Sequence, residues 1–402
     1  MKKLAKTLSL ILALVMVFSI VSCAKKPSEP VETNPDNDTV TTTSPDDADT
    51  ATDVVEPDDA TVPEEPEVKV VVDHNGNEIE LPDEINRIVV CDIYPLPSVL
   101  AVFFDSADKL VGIPKQAMVA AKNGLLGELY PEILNAKMDY IDGTTVNVEE
   151  LLSLEPDIAF YSADDAAMGE TLANAGVPAI AVSASKWEYD AVVTLENWID
   201  LLSEIFPEND RSEIVKAYSS DVVSLVNDRV ENVETKKNLF FLFQYSDSSI
   251  TTSGKHFFGE WWANASGAQN VGAELESAKS TPVEMEQVYV WNPEIIFISN
   301  YTTAQVDDIM NNTIGNYDWS EIEAVKNGKV YKMPLGMYRS YTCGVDTPVT
   351  LLWMAKTVYP ELFEDIDITA EAQKYYKAVF DIELTTEQVE KIFAPSSDAS
   401  AY

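Results

Sequence analysis

Two histidines, three cysteines and four arginines are all that this chain of 402 residues holds of the side chains most used for metal binding, thiol chemistry and anion recognition. A bare zinc or manganese site wants two or three histidines with carboxylates, and His74 and His256 lie far apart in the sequence. No Cys-x-x-Cys, G-x-S-x-G or P-loop pattern occurs, so no catalytic residue and no metal site are expected. Positive charge is scarce as well: 27 Lys and Arg face 68 Asp and Glu, a net charge of −41. Phosphate contacts need clustered cations, which makes nucleic acid an improbable partner.

What is present begins with an export signal. MKK precedes the apolar run LSLILALVMVFSIVS, and Cys23 follows Ile20-Val21-Ser22, with the shape of a secretory signal over 1–22. Small and apolar residues directly before a cysteine resemble the bacterial lipoprotein box, which implies that Cys23 becomes diacylated and N-terminal. An ordinary signal peptide or a membrane helix with an incidental cysteine is the alternative, although the run is shorter than the ~20 residues of a comfortable span. Two acyl chains, at about 0.8 kcal/mol per buried CH₂, hold a protein to a membrane stably. Residues 23–67 carry Pro, Thr, Asp and Glu without apolar periodicity, as expected of a solvated acidic tether.

The folded body starts at VKVVVDHNGNEIELP, whose alternation about Asn75-Gly76 predicts a hairpin with His74 as a solvent-facing turn residue. INRIVVCD predicts the first buried strand. Further on, VNVEELLSLEPDIAFYS (Val146 to Ser162) is echoed by VEMEQVYVWNPEIIFIS (Val283 to Ser299). In both, a helical stretch ends at a Pro-acid pair, because proline cannot continue a helix, and a short apolar strand follows. Helix, turn and buried strand form the αβ half of a βαβ unit. Once in each half of the chain, it predicts two similar α/β lobes, over 68–207 and 237–402. Between them, 208–236 shows helical spacing without Gly or Pro, predicting one long interlobe helix.

Asp-x-x-Gly, a β-branched strand, Leu-Pro and Arg-Ile-Val-Val resemble the opening of the periplasmic binding proteins for iron-siderophore, haem and cobalamin. GKHFFGEWWANASGAQNVG and DWSEIEAVKNGKVYKMP resemble two later segments of that family, in the right order across roughly 68–390. The resemblance implies two Rossmann-like lobes with mostly parallel sheets, a nearly rigid interlobe helix and a ligand cleft between the lobes. It implies an extracytoplasmic lipoprotein that hands its ligand to an ABC permease dimer with its ATPase. Glu149 and Glu286, at equivalent places in the repeat, match glutamates that pair with permease arginines in that family. Favourable interaction of first-turn acids with the helix dipole is the simpler role.

Ligands of open α/β sheets bind beyond the carboxyl ends of the strands. The residues following the predicted strands are Tyr94, Tyr161, Lys186 with Trp187, Tyr245, Tyr301, and the group Met337, Tyr338, Arg339 and Tyr341. Together they predict an aromatic-lined cleft for a large, partly flat ligand. Arg339 is the one arginine expected at the cleft mouth, with Lys115, Lys186 and Lys255 as helpers. Highly anionic chelates usually meet several guanidiniums, so a hydroxamate-like iron(III) chelate or a corrinoid is expected. Haem is the alternative, with His256 and Met337 or a tyrosine as axial ligands. The protein needs no cofactor of its own. Cys91 and Cys343 are expected to be free, partly buried thiols. A sensor or adhesin on the same fold remains the second class of function.

Overall fold

A computed structural model describes residues 69–400. Cys23, the signal segment and the acidic tether up to residue 68 lie outside the described residues.

The expected hairpin forms from β1 (Val70–Val72) and β2 (Glu78–Glu80), with Gly76 at φ 83° supplying the left-handed turn position. Lobe 1 continues through β3 (Ile88–Val90), α1 (Leu96–Phe104), β4 (Leu110–Gly112), α2 (Lys115–Asn123) and α3 (Leu125–Leu129). A small β5–β6 hairpin (Ile141–Asp142, Thr145–Val146) leads to α4 (Val148–Ser153), β7 (Ile158–Ser162), α5 (Ala166–Asn174), β8 (Ala179–Val182) and α6 (Ala191–Ile205). Its main sheet is wholly parallel, in the order β4-β3-β7-β8. These strands read as unbroken apolar runs because helices cover both faces.

Lobe 2 comprises β9 (Asn238–Ser246), β10 (Ser249–Ser253), α8 (Phe258–Ala265), β11 (Gln269–Asn270), β12 (Ser280–Val283), α9 (Met285–Trp291) and β13 (Ile295–Ile298). It then runs through α10 (Val306–Met310), α11 (Glu323–Lys326), β14 (Val330–Lys332), α12 (Thr347–Val358), α13 (Ile368–Phe380) and α14 (Thr386–Phe393). Its sheet is mixed: β9, β13 and β14 run parallel, whereas β10 pairs antiparallel with both β9 and β12. The sequence echo thus becomes α4–β7 and α9–β13, with β7 and β13 inside their sheets.

The interlobe helix α7 spans Ser212–Val230, 19 residues, shorter than the 208–236 expected. Its start is set by Asp210, whose carboxylate accepts from both the N–H and the hydroxyl of Ser212, just after a tight turn at Pro207–Asn209. At 1.5 Å per residue the rod is about 28 Å long. It packs against α6 of lobe 1 and against α8, α12 and α13 of lobe 2, so both lobes share one apolar core along it. No helix among the described residues is long and apolar enough to cross a membrane.

Candidate functional site

The segment after β14, 333–346, shapes the site most. A connection of this kind ordinarily runs over the surface, yet every residue from Met333 to Asp346 except Thr342 is buried. Its backbone groups therefore need partners inside the protein. Asp346, itself 5% exposed, accepts from the Met337 N–H at 2.9 Å and from the Tyr376 hydroxyl. Burial pushes its carboxyl up to about 6, against the pull of the hydrogen bonds from Tyr376, Met337 and Tyr338. Gly336 is required beside it, because a Cβ there would stand 2.2 Å from the Asp346 carboxylate.

On this support Arg339 is held 1% exposed, its guanidinium carbon 5.0 Å from the centre of the Tyr301 ring and 5.9 Å from that of Tyr338. Arg339, expected at the cleft mouth, is instead enclosed, roofed by aromatic faces and by the last described turn. Tyr301 stacks on Phe243 at 5.0 Å, and its hydroxyl reaches Thr342 at 3.5 Å. The turn carrying Tyr301 is fixed by Lys332, whose ammonium donates to the carbonyls of Ser299, Thr302 and Ala304 at 2.9, 2.7 and 2.7 Å. Burial, with the Arg339 charge nearby, brings this lysine down to about 7.

Lobe 1 meets this group at several points. The half-buried Tyr94 phenol is pushed up by burial and then by the nearby Asp92 and, from lobe 2, Tyr301. Tyr189, in the loop after β8, packs edge-on against Phe257 and Phe258 of lobe 2 at 5.1 and 4.9 Å. Reaching there puts Glu188 and Tyr189 at φ 55° and 59°, a left-handed conformation unfavourable for both. The Leu125 N–H donates to the Gly336 carbonyl at 3.2 Å, tying the start of α3 to the loop beside Arg339. Trp187 stays half-buried on the lobe 1 side, edge-on to His74 at 5.0 Å and near Lys186.

Four of the proposed cleft residues point elsewhere. Tyr161 is the fourth residue of β7, so its side chain faces the outer layer, under α5, where a Cβ on Gly169 would touch its hydroxyl. Tyr245 belongs to β9, which runs longer than expected; its hydroxyl donates to the Ile314 carbonyl and accepts from the Trp319 indole in a second core. Met337 and Tyr341 are both 0% exposed and pack into the main core. Tyr94, Trp187, Tyr301, Tyr338 and Arg339 remain at or beside the meeting of the lobes.

His74 is not a solvent-facing turn residue. Its Nδ1 accepts from the Ser183 N–H at 3.0 Å, and burial brings the imidazole down to about 4. His256 is 58% exposed and pairs with Glu276 at 3.1 Å, beside the Lys255–Glu276 bridge, whereas Met337 is fully enclosed. Lys186 donates to the His74 carbonyl, and Lys115 is exposed at the start of α2. Cys91 and Cys343 are free thiols and wholly buried, and burial pushes both thiols up. The other three arginines hold the scaffold: Arg87 bonds to Leu154, Arg211 to Val379, and Arg229 forks onto Asp365. Among the described residues no group of three His, Cys, Asp or Glu could hold a metal ion.

The sequence from residue 102 to 335 matches the pattern of the periplasmic binding proteins. The chain belongs to that family. It is 28% identical over 337 residues to the molybdate-binding protein MolA of Haemophilus influenzae, covering 78% of this chain and 91% of the relative. It is 23% identical to the uncharacterized ABC transporter substrate-binding lipoprotein YvrC of Bacillus subtilis, over 73% of this chain and 86% of that one. A crystal structure of a periplasmic solute binding protein from Veillonella parvula superposes with a TM-score of 0.72 at 26% identity, over 82% of this chain and 97% of that one. Membership makes this a binding component of a transport system rather than an enzyme, and its relatives imply permease and ATPase partners and a small-molecule ligand.

Asp346, Lys332, Tyr189 and Gly336 were not singled out from the sequence. The first two lie in otherwise apolar stretches, where a lone charged residue signals a buried, bonded group. For Tyr189 no comparable signal exists.

Proposed function

We propose that the protein is an extracytoplasmic substrate-binding lipoprotein of an ABC importer, tethered through Cys23, whose ligand is metal-bearing and presents an anionic edge to Arg339. One observation carries this reading: the guanidinium is enclosed by Tyr301 and Tyr338 where the lobes meet. A buried guanidinium favours an anion as partner, and neighbouring phenols and Thr342 add hydrogen-bond donors. An iron chelate with a carboxylate or hydroxamate edge and a corrinoid with its phosphodiester both meet that requirement. Haem fits less well, because His256 and Met337 are engaged elsewhere.

A compact oxoanion is the second reading. The three tyrosines and one methionine expected in the cleft but found in the cores remove much of the lining that a large flat ligand would use, and the relative MolA is a molybdate-binding protein. Titration of residues 24–402 with ferric hydroxamate, cobalamin, haem and molybdate, followed by tryptophan fluorescence, tests both. Saturable binding of one ligand that Arg339→Ala weakens supports the proposal. Binding that Arg339→Ala leaves untouched, or none to any of the four, overturns it. A sensor role would show as ligand binding without uptake in cells.

Delivery to the permease is assigned to Glu149 and Glu286. Both are exposed in the first turn of their helices, and neither has a salt-bridge partner among the described residues. One turn further on, Leu152 is 44% exposed, and Tyr289 and Val290 are 40% and 78% exposed. Acid followed by uncovered apolar surface thus occurs twice, as suits a two-fold partner.

A further inference from the structure

The chain's last described turn, Ser397–Ser400, lies along α2 of lobe 1; Asp398 faces solvent, whereas Ala399 and Ser400 are shut off from it at 0% and 1% exposure. On one side the Arg339 guanidinium donates to the Ala399 carbonyl at 3.4 Å. On the other, the Asn123 amide at the end of α2 donates to the Asp398 carbonyl, also at 3.4 Å. Hydrophobicity does little to explain the burial of its last two residues: Ala399 and Ser400 offer little apolar area. Nor is the seat well bonded. Both contacts are at the long limit for hydrogen bonds. The hydroxyls of Ser400 and Ser340 are buried without a hydrogen-bond partner among the described residues. A small, polar, underbonded segment against a buried cation makes a poor permanent core. It makes a good placeholder, since an anionic oxygen binds a guanidinium more strongly than a neutral carbonyl does.

We propose that residues 397–400 are a strap that occupies the Arg339 side of the cleft in the empty protein and is displaced by the arriving ligand. The strap bridges α2 of lobe 1 and the Arg339 loop of lobe 2, so ligand and strap compete for one guanidinium. The inference rests on Arg339 being the ligand's anchor, and the experiment separates the two ideas.

Having only four arginines makes their chemical labelling easy to resolve. Residues 24–402 and the same chain ending at Pro395 are treated with phenylglyoxal, and modification of each arginine is followed by mass spectrometry. Arg339 should react at least about tenfold faster in the shortened chain, by the fraction of time the strap had covered it. Arg229, held by Asp365, should not change. Ala399→Lys keeps the length but would set a second cation beside the Arg339 guanidinium in a fully buried position. It should unmask Arg339 in the same way, which keeps the test independent of the truncation's stability. Equal Arg339 rates in all three proteins, each shown folded by circular dichroism, overturn the strap.

Affinity supplies the second readout, using whichever of molybdate, ferric hydroxamate, cobalamin or haem binds. The shortened chain should bind about tenfold more tightly, and ligand should hasten carboxypeptidase digestion of the full-length C terminus. Arg339-dependent binding of equal strength with and without residues 396–402 overturns the strap and leaves the proposed function standing. An unmasked Arg339 in a chain that binds none of the four ligands overturns the proposed function and leaves the strap.

Discussion

Arg339 and Tyr301 lie face to face, the guanidinium carbon 5.0 Å from the ring centre, both on loops that follow strands of lobe 2. Two buried charged groups keep that pair in register: Lys332 holds the turn of Tyr301 by three carbonyls, and Asp346 holds the loop of Arg339 by its N–H groups. The aromatic face and the cation are therefore positioned before any ligand arrives, which lowers the ordering cost of binding.

Arg339→Lys retains the charge but loses the planar fork that stacks on Tyr301. Ligand affinity should fall by about tenfold or more, roughly 1.4 kcal/mol, while the fold is kept. Isothermal titration alongside thermal melting reads both quantities. Unchanged affinity would remove guanidinium geometry from the account of recognition.

Asp346 and His74 should act in opposite directions as the pH falls. The Asp346 carboxyl is raised to about 6 in the folded protein, so its contribution to stability is complete below the unfolded value and is lost as pH rises through 6. The His74 imidazole is lowered to about 4, so its contribution is complete above the ordinary value near 6.5 and is lost as pH falls toward 4. Each effect is on the order of 3 kcal/mol, at 1.36 kcal/mol per pKa unit. Between pH 6.5 and 4, Asp346→Asn should lose stability on acidification by more than the wild type, and His74→Gln by less. Urea midpoints across that range decide it, and parallel curves for all three proteins would remove both groups from the pH account.

Gly124→Ala should press the lobes apart. Its Cβ would lie 2.6 Å from Leu335 Cδ2, 2.9 Å from the Ala120 carbonyl oxygen and 3.1 Å from that of Gly336. Overpacking of this kind costs about 1–3 kcal/mol. Gly344→Ala is the control, since its Cβ would meet nothing within 4 Å. Denaturant titration should show the first destabilised and the second within about 0.5 kcal/mol of the wild type.

Glu149→Arg and Glu286→Arg should reduce uptake in cells without changing ligand affinity in solution. Losing an interface charge partner can cost about 2–5 kcal/mol, so each reversal should cut transport at least about tenfold, and the pair should abolish it. Uptake of labelled ligand beside solution titrations reads this, and normal uptake by the double variant would sink the docking assignment.

Legibility followed how local each signal was. The echo around Pro156 and Pro293 rests on neighbouring residues, and both copies formed the expected helix, turn and strand. Tyr161 and Tyr245 were misplaced because a strand sends successive side chains to opposite faces. A slip of one residue in judging where β7 or β9 ends moves a tyrosine from cleft to core. The burial of Arg339 was illegible for another reason: its cover comes from residues 60 positions later in the chain, and no local pattern in MYRSY announces that. The antiparallel half of the lobe 2 sheet is likewise a long-range pairing.

The hairpin at the start of the body decides where mechanical load would enter. The His74 N–H donates to the Ala181 carbonyl, the Asp73 carboxylate accepts from the Ala181 N–H, and the Lys69 ammonium reaches the Ile205 carbonyl. All three attachments are to lobe 1, and none touches the loops of Arg339 or Tyr301. A pull on the chain ahead of Lys69 would therefore enter lobe 1 through these contacts, at β8 and the end of α6, and leave the loops of Arg339 and Tyr301 without direct load.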